Sequence, residues 1–263
     1  MEAINSSQNR QIKEANKLKQ KKYRELKNEF LIEGTKLFNE AVASRIIIKE
    51  LFYTEAWHVL MSDATKIYFN ALTKTKAAHL VTHDVLTSLS TLKNPEGIIC
   101  VAEKPKNNKL FARKYVILEG IQDPGNLGTI IRTADAAGFE AIYCSMQTAD
   151  IYNDKTLRSA MGSLFHIPVV YCEDLLDEIK RLKENKIYII GTSLQGSETI
   201  PSNTQISSGF ALILGNESKG ISEILTKACD YLYKIPMFGQ AESLNVAVAA
   251  GICLYDLVRI NKI

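Results

Sequence analysis

Several signals that would settle this chain's class at once are missing from it. No apolar run approaches the ~20 residues of a membrane-spanning helix, and the opening stretch, MEAINSSQNRQIKEANKLKQKK, lacks the apolar centre of a secretory signal. A cytoplasmic protein with no membrane partner is expected. Cysteine is scarce and odd in number: Cys100, Cys144, Cys172, Cys229 and Cys253. No Cys-x-x-Cys occurs, which argues against a disulfide framework or a zinc ribbon. Most of the five lie in apolar runs, where Cys serves as a small core residue.

The common nucleotide and hydrolase motifs are absent too. There is no GxxxxGK[ST], and the GNLGT at 125–129 has no phosphate-binding lysine. No GxGxxG follows the first strand of either half, so a dinucleotide site is unsupported. HExxH and Gly-x-Ser-x-Gly are missing, and His58, His79, His83 and His166 are scattered. No metal site is expected. Net charge is low as well: 32 Lys and Arg stand against 29 Asp and Glu, a formal +3.

What is present is a chain of 263 residues, 46% hydrophobic and 23% charged. That is enough for one or two packed domains and too apolar for a disordered chain. The charge is uneven. Arg10, Lys13, Lys17, Lys19, Lys21, Lys22, Arg24 and Lys27 face only Glu14 and Glu25 in one run, and Lys104, Lys106, Lys109, Arg113 and Lys114 face Glu103 in another. Such runs are either solvated faces or contacts for a polyanion.

Read in order, 5–27 is expected as a charged helix, 30–34 as a strand, 35–43 as a helix and 45–52 as a strand. A helix at 56–64, a strand at 79–82, a helix at 84–92 and a strand at 97–102 complete a small α/β unit. Residues 1–103 form the first domain and 104–114, rich in Lys and Asn, the linker. A second α/β domain, 115–263, then alternates. Strands are expected at 115–119, 141–144, 168–171, 187–191, 210–214 and 231–235. Helices are expected at 127–137, 155–164, 172–184 and 244–259. Six strands with intervening helices imply a mostly parallel sheet. The second domain is organised around 211–251, where two apolar runs each stop at a polar loop. Ligands of open α/β sheets bind beyond such strand ends.

Three polar clusters occupy strand ends or helix starts: DPGNLGTIIRT at 123–133, LGNESKGI at 214–221, and IPM at 235–237 through SLNVAVA at 243–249. In this order and at these spacings they resemble the three signature motifs of the SpoU (TrmH-like) branch of the SPOUT methyltransferases. KTLRSAMGS at 155–163 looks like that family's intermotif segment. The first domain is similar, more loosely, to the L30e-like substrate-binding domain that often precedes the catalytic one. One departure is Asp123, where many members have Asn; Asp keeps the side-chain acceptor of the turn.

The resemblance implies an S-adenosylmethionine-dependent RNA 2′-O-ribose methyltransferase that releases S-adenosylhomocysteine. It also implies a deep trefoil knot in the C-terminal domain and a homodimer. Periodicity alone would give an unknotted sheet. Large-subunit (23S) ribosomal RNA is the expected substrate. Transfer RNA, or a catalytically silent RNA-binding or ribosome-assembly role, are the alternatives.

A ribose hydroxyl is a weak acid, so the reaction needs positioning, proton removal or stabilisation of developing negative charge. The family assigns activation to the arginine at the position of Arg132 and delivers it from the partner subunit. A guanidinium stays protonated, so Arg132 is expected to hold phosphate and the forming alkoxide. Asn126 either orients the ribose or caps its helix. Glu217 accepts from Arg132 or the substrate, or is a plain turn residue. Ser243 and Asn245 cap the last helix or touch the ribose. Gly215, Ile235 and Leu244 match cofactor-holding positions, with Thr192 a weaker candidate. Lys21, Lys22, Arg24, Lys109, Arg113, Lys155 and Arg158 are the expected RNA contacts.

Overall fold

The computed structural model describes residues 3–106, 111–199, 206 and 208–261. In chain order the elements are α1 (Arg10–Lys17), α2 (Lys21–Lys27), β1 (Glu29–Glu33), α3 (Thr35–Ala43), β2 (Ile48–Tyr53), α4 (Glu55–Leu60), α5 (Asp63–Lys74), β3 (Ala78–Leu80), α6 (His83–Leu89) and β4 (Ile98–Glu103). There follow β5 (Lys114–Leu118), α7 (Pro124–Ala136), β6 (Ala141–Ser145), α8 (Asp154–Ala160), a 3-10 turn (Ser163–Phe165), β7 (Val169–Cys172), α9 (Leu175–Glu184) and β8 (Tyr188–Ser197). The chain ends with β9 (Phe210–Leu214), α10 (Glu223–Ala228), β10 (Tyr231–Tyr233) and α11 (Val246–Asn261). They form two compact units: 1–106 with 152–165, and 107–151 with 166–263.

The first unit is built on a four-stranded sheet of order β1-β4-β2-β3, with β4 antiparallel to both neighbours and β2 parallel to β3. Alternation in the strands puts Leu31, Ile99, Val101 and Phe52 toward one face. There they pack with Ile12, Ala15 and Leu18 of α1 and Val85, Leu86 and Leu89 of α6. Each fully buried Ile, Leu, Val or Phe among them contributes roughly 1.5–3 kcal/mol. Residues 152–165 lie within the stretch 115–263 yet fold into this first unit. Tyr152 brings its ring to 4.7 Å from that of Phe30, and Phe165 lies 6.3 Å from the same ring.

Two helices differ from expectation here. The single helix at 5–27 is two, broken at Leu18–Gln20. The cause is Arg24, whose Nη1 donates to the Leu18 and Lys19 carbonyls at 2.8 Å each and closes the end of α1. The helix expected at 56–64 is α4 and the longer α5, separated by Met61 and a Ser62 cap that accepts from Thr65 N.

The second unit holds six parallel strands in the order β10-β8-β9-β5-β6-β7. The direction of winding reverses at β5, which pairs with β6 on one side and β9 on the other. Side chains of β5, β6 and β9 are almost wholly buried, as expected of a sheet covered on both faces. In the part of the first unit that comes from 152–165, the helix expected at 155–164 stops at Ala160, because Met161 (φ 51°) and Gly162 (φ 97°) take left-handed conformations. Helix α11 starts at Val246, two residues later than expected. Its Ala250, Cys253, Leu254 and Leu257 are buried, and Tyr233 donates to Asp256 Oδ2 at 3.0 Å, tying it to β10.

Candidate active site

Three loops converge at the carboxyl ends of β5 and β9 and the start of α11, all within the second unit. The first follows β5. Asp123 caps α7 by accepting from Asn126 N at 2.9 Å, and Pro124 takes the first helical position, where no N–H is needed. The acceptor at 123 is thus kept although the residue is Asp, and Asn126 is released from capping.

The second loop follows β9. Asn216 and Gly220 exchange backbone hydrogen bonds at 3.0 and 2.9 Å, closing a tight turn. A Cβ on Gly215 would lie 2.1 Å from Gly220 C and 2.2 Å from Ile221 N, so only glycine fits there. Asn216 then bolts this turn to the first loop: Nδ2 donates to Gly120 O at 2.8 Å, while Oδ1 accepts from Ser218 N and Lys219 N. Nothing in the sequence marked Asn216 beyond its place in the polar turn.

Glu217 stands at the tip. Its carboxylate accepts from Gln122 N and Asp123 N at 3.3 Å each and from Asn126 Nδ2 at 3.2 Å. Asn126 Oδ1 in turn accepts from Asn245 Nδ2 at 3.1 Å. Asn245 Oδ1 caps α11 through Ala247 N at 2.9 Å. Glu217, Asn126 and Asn245 therefore form one polar chain across three loops. Partial burial alone would raise the Glu217 pKa. Its own backbone N–H, the Asn126 amide and the Asp123 and Gln122 N–H groups outweigh that and hold it below the usual carboxylate value.

The other predicted residues take different positions. Ser243 is exposed and makes no hydrogen bond among the described residues; Asn245 does the capping. Arg132 is exposed on α7 without an ion pair or hydrogen bond among the described residues. Six residues past Asn126, it points about 120° away around the helix. Thr192 Oγ1 donates to the Ile213 carbonyl at 3.2 Å, so its hydroxyl ties β8 to β9.

Ile235 is half-buried, and Leu244 (36%) and Phe238 (97%) are exposed beside it in sequence. Among the described residues, no backbone N–H or C=O of 235–244 is hydrogen-bonded within the chain. A loop carrying apolar side chains and free backbone donors and acceptors fits a nucleoside ligand. Among the described residues no three His, Cys, Asp or Glu gather as metal ligands.

The expected RNA contacts divide. Lys21, Lys22, Lys155 and Arg113 are exposed. Arg24 is only 5% exposed and serves the end of α1, so its guanidinium is not at the surface. Arg158 pairs with Asp154 at 2.7 Å and donates to Thr91 at 3.1 Å. Lys109 lies outside the described residues.

The sequence profile of the SpoU rRNA Methylase family matches residues 113–255, the span that carries all three loops. The chain belongs to the SpoU rRNA methylase family. Ahead of this span, residues 9–100 match the MRM3-like substrate binding domain. This SpoU protein is 41% identical over 257 residues to the 23S rRNA (guanosine(2553)-2′-O)-methyltransferase RlmP of Bacillus subtilis, covering 98% of this chain and 99% of that one. Its fold is similar to that of the AdoMet-bound rRNA methyltransferase from Sinorhizobium meliloti, with TM-score 0.84, 30% identity and 98% and 97% of the two chains covered. It is also similar to the SpoU methyltransferase AviRb from Streptomyces viridochromogenes in complex with AdoMet, with TM-score 0.80, 28% identity and 96% and 98% covered.

Proposed function

We propose that this protein transfers a methyl group from S-adenosylmethionine to the 2′-hydroxyl of a ribose in 23S ribosomal RNA, in the cytoplasm. The guanosine that the Bacillus relative modifies is the first candidate target. The observation that carries the reading is the Glu217–Asn126–Asn245 chain, set within the family's three motifs at the sheet's switch point.

When bound, S-adenosylmethionine supplies an electrophilic methyl on a sulfonium. Gly215, Ile235 and Leu244 would hold it, with Thr192 at the pocket's margin. Glu217, ionised, fixes Asn126 so that its amide faces one way. Asn126 and Asn245 then position the ribose, and Ser243 has a free hydroxyl to offer it. Arg132 stays cationic and stabilises the forming alkoxide and its neighbouring phosphate; the proton leaves to phosphate or water.

Arg132 reaches this site from a partner subunit. In support, α11 exposes an apolar stripe at steps of four and three residues: Val248 (52%), Ile252 (36%) and Tyr255 (45%). Such a stripe on one helical face is the mark of a surface awaiting a partner. The homodimer and the family's trefoil knot are parts of the same proposal. Lys21, Lys22, Arg113 and Lys155 supply phosphate contacts to the RNA.

The test is labelled methyl transfer onto 23S and transfer RNA from cells lacking this protein, followed by mapping of the modified ribose. Label on the 2′-oxygen of one 23S nucleotide is expected. Label on a base, or on transfer RNA alone, would overturn the reading.

A further inference from the structure

The first unit carries a groove of about 580 Å³, within the ~300–1,000 Å³ of small-molecule sites. It is lined by Arg10, Gln11, Glu14 and Ala15 of α1 and by Glu29, Glu50 and Val101 of the sheet. The strand registers place Leu31 and Glu50 opposite Val101 from either side, with Glu29 two residues before Leu31. Glu29, Leu31, Val101 and Glu50 therefore share one face, the face that packs under α1. Farther along, that face is apolar; at the groove it carries carboxylates.

Glu29 makes no side-chain hydrogen bond or ion pair among the described residues, whereas Glu50 is hydrogen-bonded by Gln11 and faces the Lys27 charge. Burial first, and then the Glu29 charge, push the Glu50 carboxyl up. Arg10 lines the same groove and has no partner among the described residues either. Lys27, also on the wall, is bound to Glu14 at 2.5 Å. The groove thus holds a cation, Arg10, and a carboxylate, Glu29, that are each unpaired among the described residues. A ligand that satisfies both is bipolar: donors at one end and an anion at the other.

We infer that this groove binds an unpaired guanine nucleotide of the RNA, with the base edge on Glu29 and Glu50 and the phosphate on Arg10. Guanine alone among the four bases presents adjacent donors, N1–H and N2–H, on its Watson–Crick edge. Adenine and cytosine place a ring acceptor beside their amino group, and uracil flanks its N–H with two carbonyls; each would set a lone pair against a carboxylate. Unpaired bases are read on that edge. The inference rests on the RNA methyltransferase reading and adds a sequence-selecting site to it.

The test is equilibrium dialysis of the full-length protein with GMP or AMP, in saturating S-adenosylhomocysteine to occupy the nucleoside pocket at the strand ends. Hydrogen bonds to charged groups predict GMP bound roughly 10- to 100-fold more tightly than AMP. The preference should vanish in Glu29→Ala/Glu50→Ala and shrink in Glu50→Gln, which keeps the shape. Arg10→Ala should weaken GMP but leave guanosine unchanged. Equal binding of the two nucleotides, no saturable GMP binding, a preference that survives the double variant, or tighter binding of argininamide (a basic-peptide site) would each overturn it. Methyl transfer onto 23S RNA is measured alongside. Transfer without a GMP preference sinks this inference alone, and a GMP preference without transfer sinks the enzymatic reading alone.

Discussion

The side-chain nitrogen of Asn126 donates to Glu217 Oε1 at 3.2 Å, so the carboxylate decides which way the amide faces. The amide oxygen is thereby turned toward Asn245. In the proposed mechanism Glu217 acts through Asn126, as a positioning residue. Glu217→Gln should then bind S-adenosylhomocysteine as the wild type does, but transfer methyl on the order of 100-fold more slowly, the usual cost of a misplaced group. Calorimetry and single-turnover transfer separate the two quantities. A variant with unchanged single-turnover rate would remove Glu217 from the mechanism.

The lowered Glu217 pKa has a consequence for pH dependence. A carboxyl held below its ordinary 4.5 is ionised throughout pH 5–8, and the order it imposes is lost only as pH falls through that lowered value. The rate–pH profile between 5 and 8 should therefore have the same shape in the wild type and in Glu217→Gln, displaced downward. A break in that window that disappears in the variant would contradict the assignment.

The three loops were legible because each polar cluster interrupts an apolar run, and strand ends of a parallel sheet are where ligands bind. The chain linking them was not. Its two bonds join residues 91 and 119 apart in sequence, and no local pattern specifies which amide meets which carboxylate. The place of 152–165 was hidden for a similar reason. Residues 155–164 read as one more helix of the second domain, while the ring that Tyr152 and Phe165 meet, Phe30, lies far upstream. The break in the first helix escaped notice because no Pro or Gly marks it; a buried arginine makes it.

That arginine separates charge from contact. Lys21→Ala and Lys22→Ala should each weaken RNA binding and reduce the salt slope by roughly one where the lysine meets a phosphate. Arg24→Ala removes bonds to two carbonyls at the end of α1 and should instead lower stability by about 1–3 kcal/mol. Filter binding across a salt series, paired with urea unfolding, tells the two effects apart. A pure salt-slope change in Arg24→Ala would return it to the RNA surface.

Arg132 offers the sharpest test of the assembly. It lies on the same helix as Asn126 yet faces about 120° away, so one subunit does not aim both at one ribose. If each site draws Arg132 from the partner, Arg132→Ala and Asn126→Ala are inactive alone but complement when mixed. A heterodimer of the two places both lesions in one site and leaves the other intact. Random exchange makes half the dimers mixed, so activity should recover to roughly a quarter of wild type. Activity of refolded mixtures, set against each variant refolded alone, measures it. No recovery in a mixture shown by mass spectrometry to contain heterodimers would place Arg132 and Asn126 in the same subunit's site, and the exposed stripe of α11 would then need another explanation.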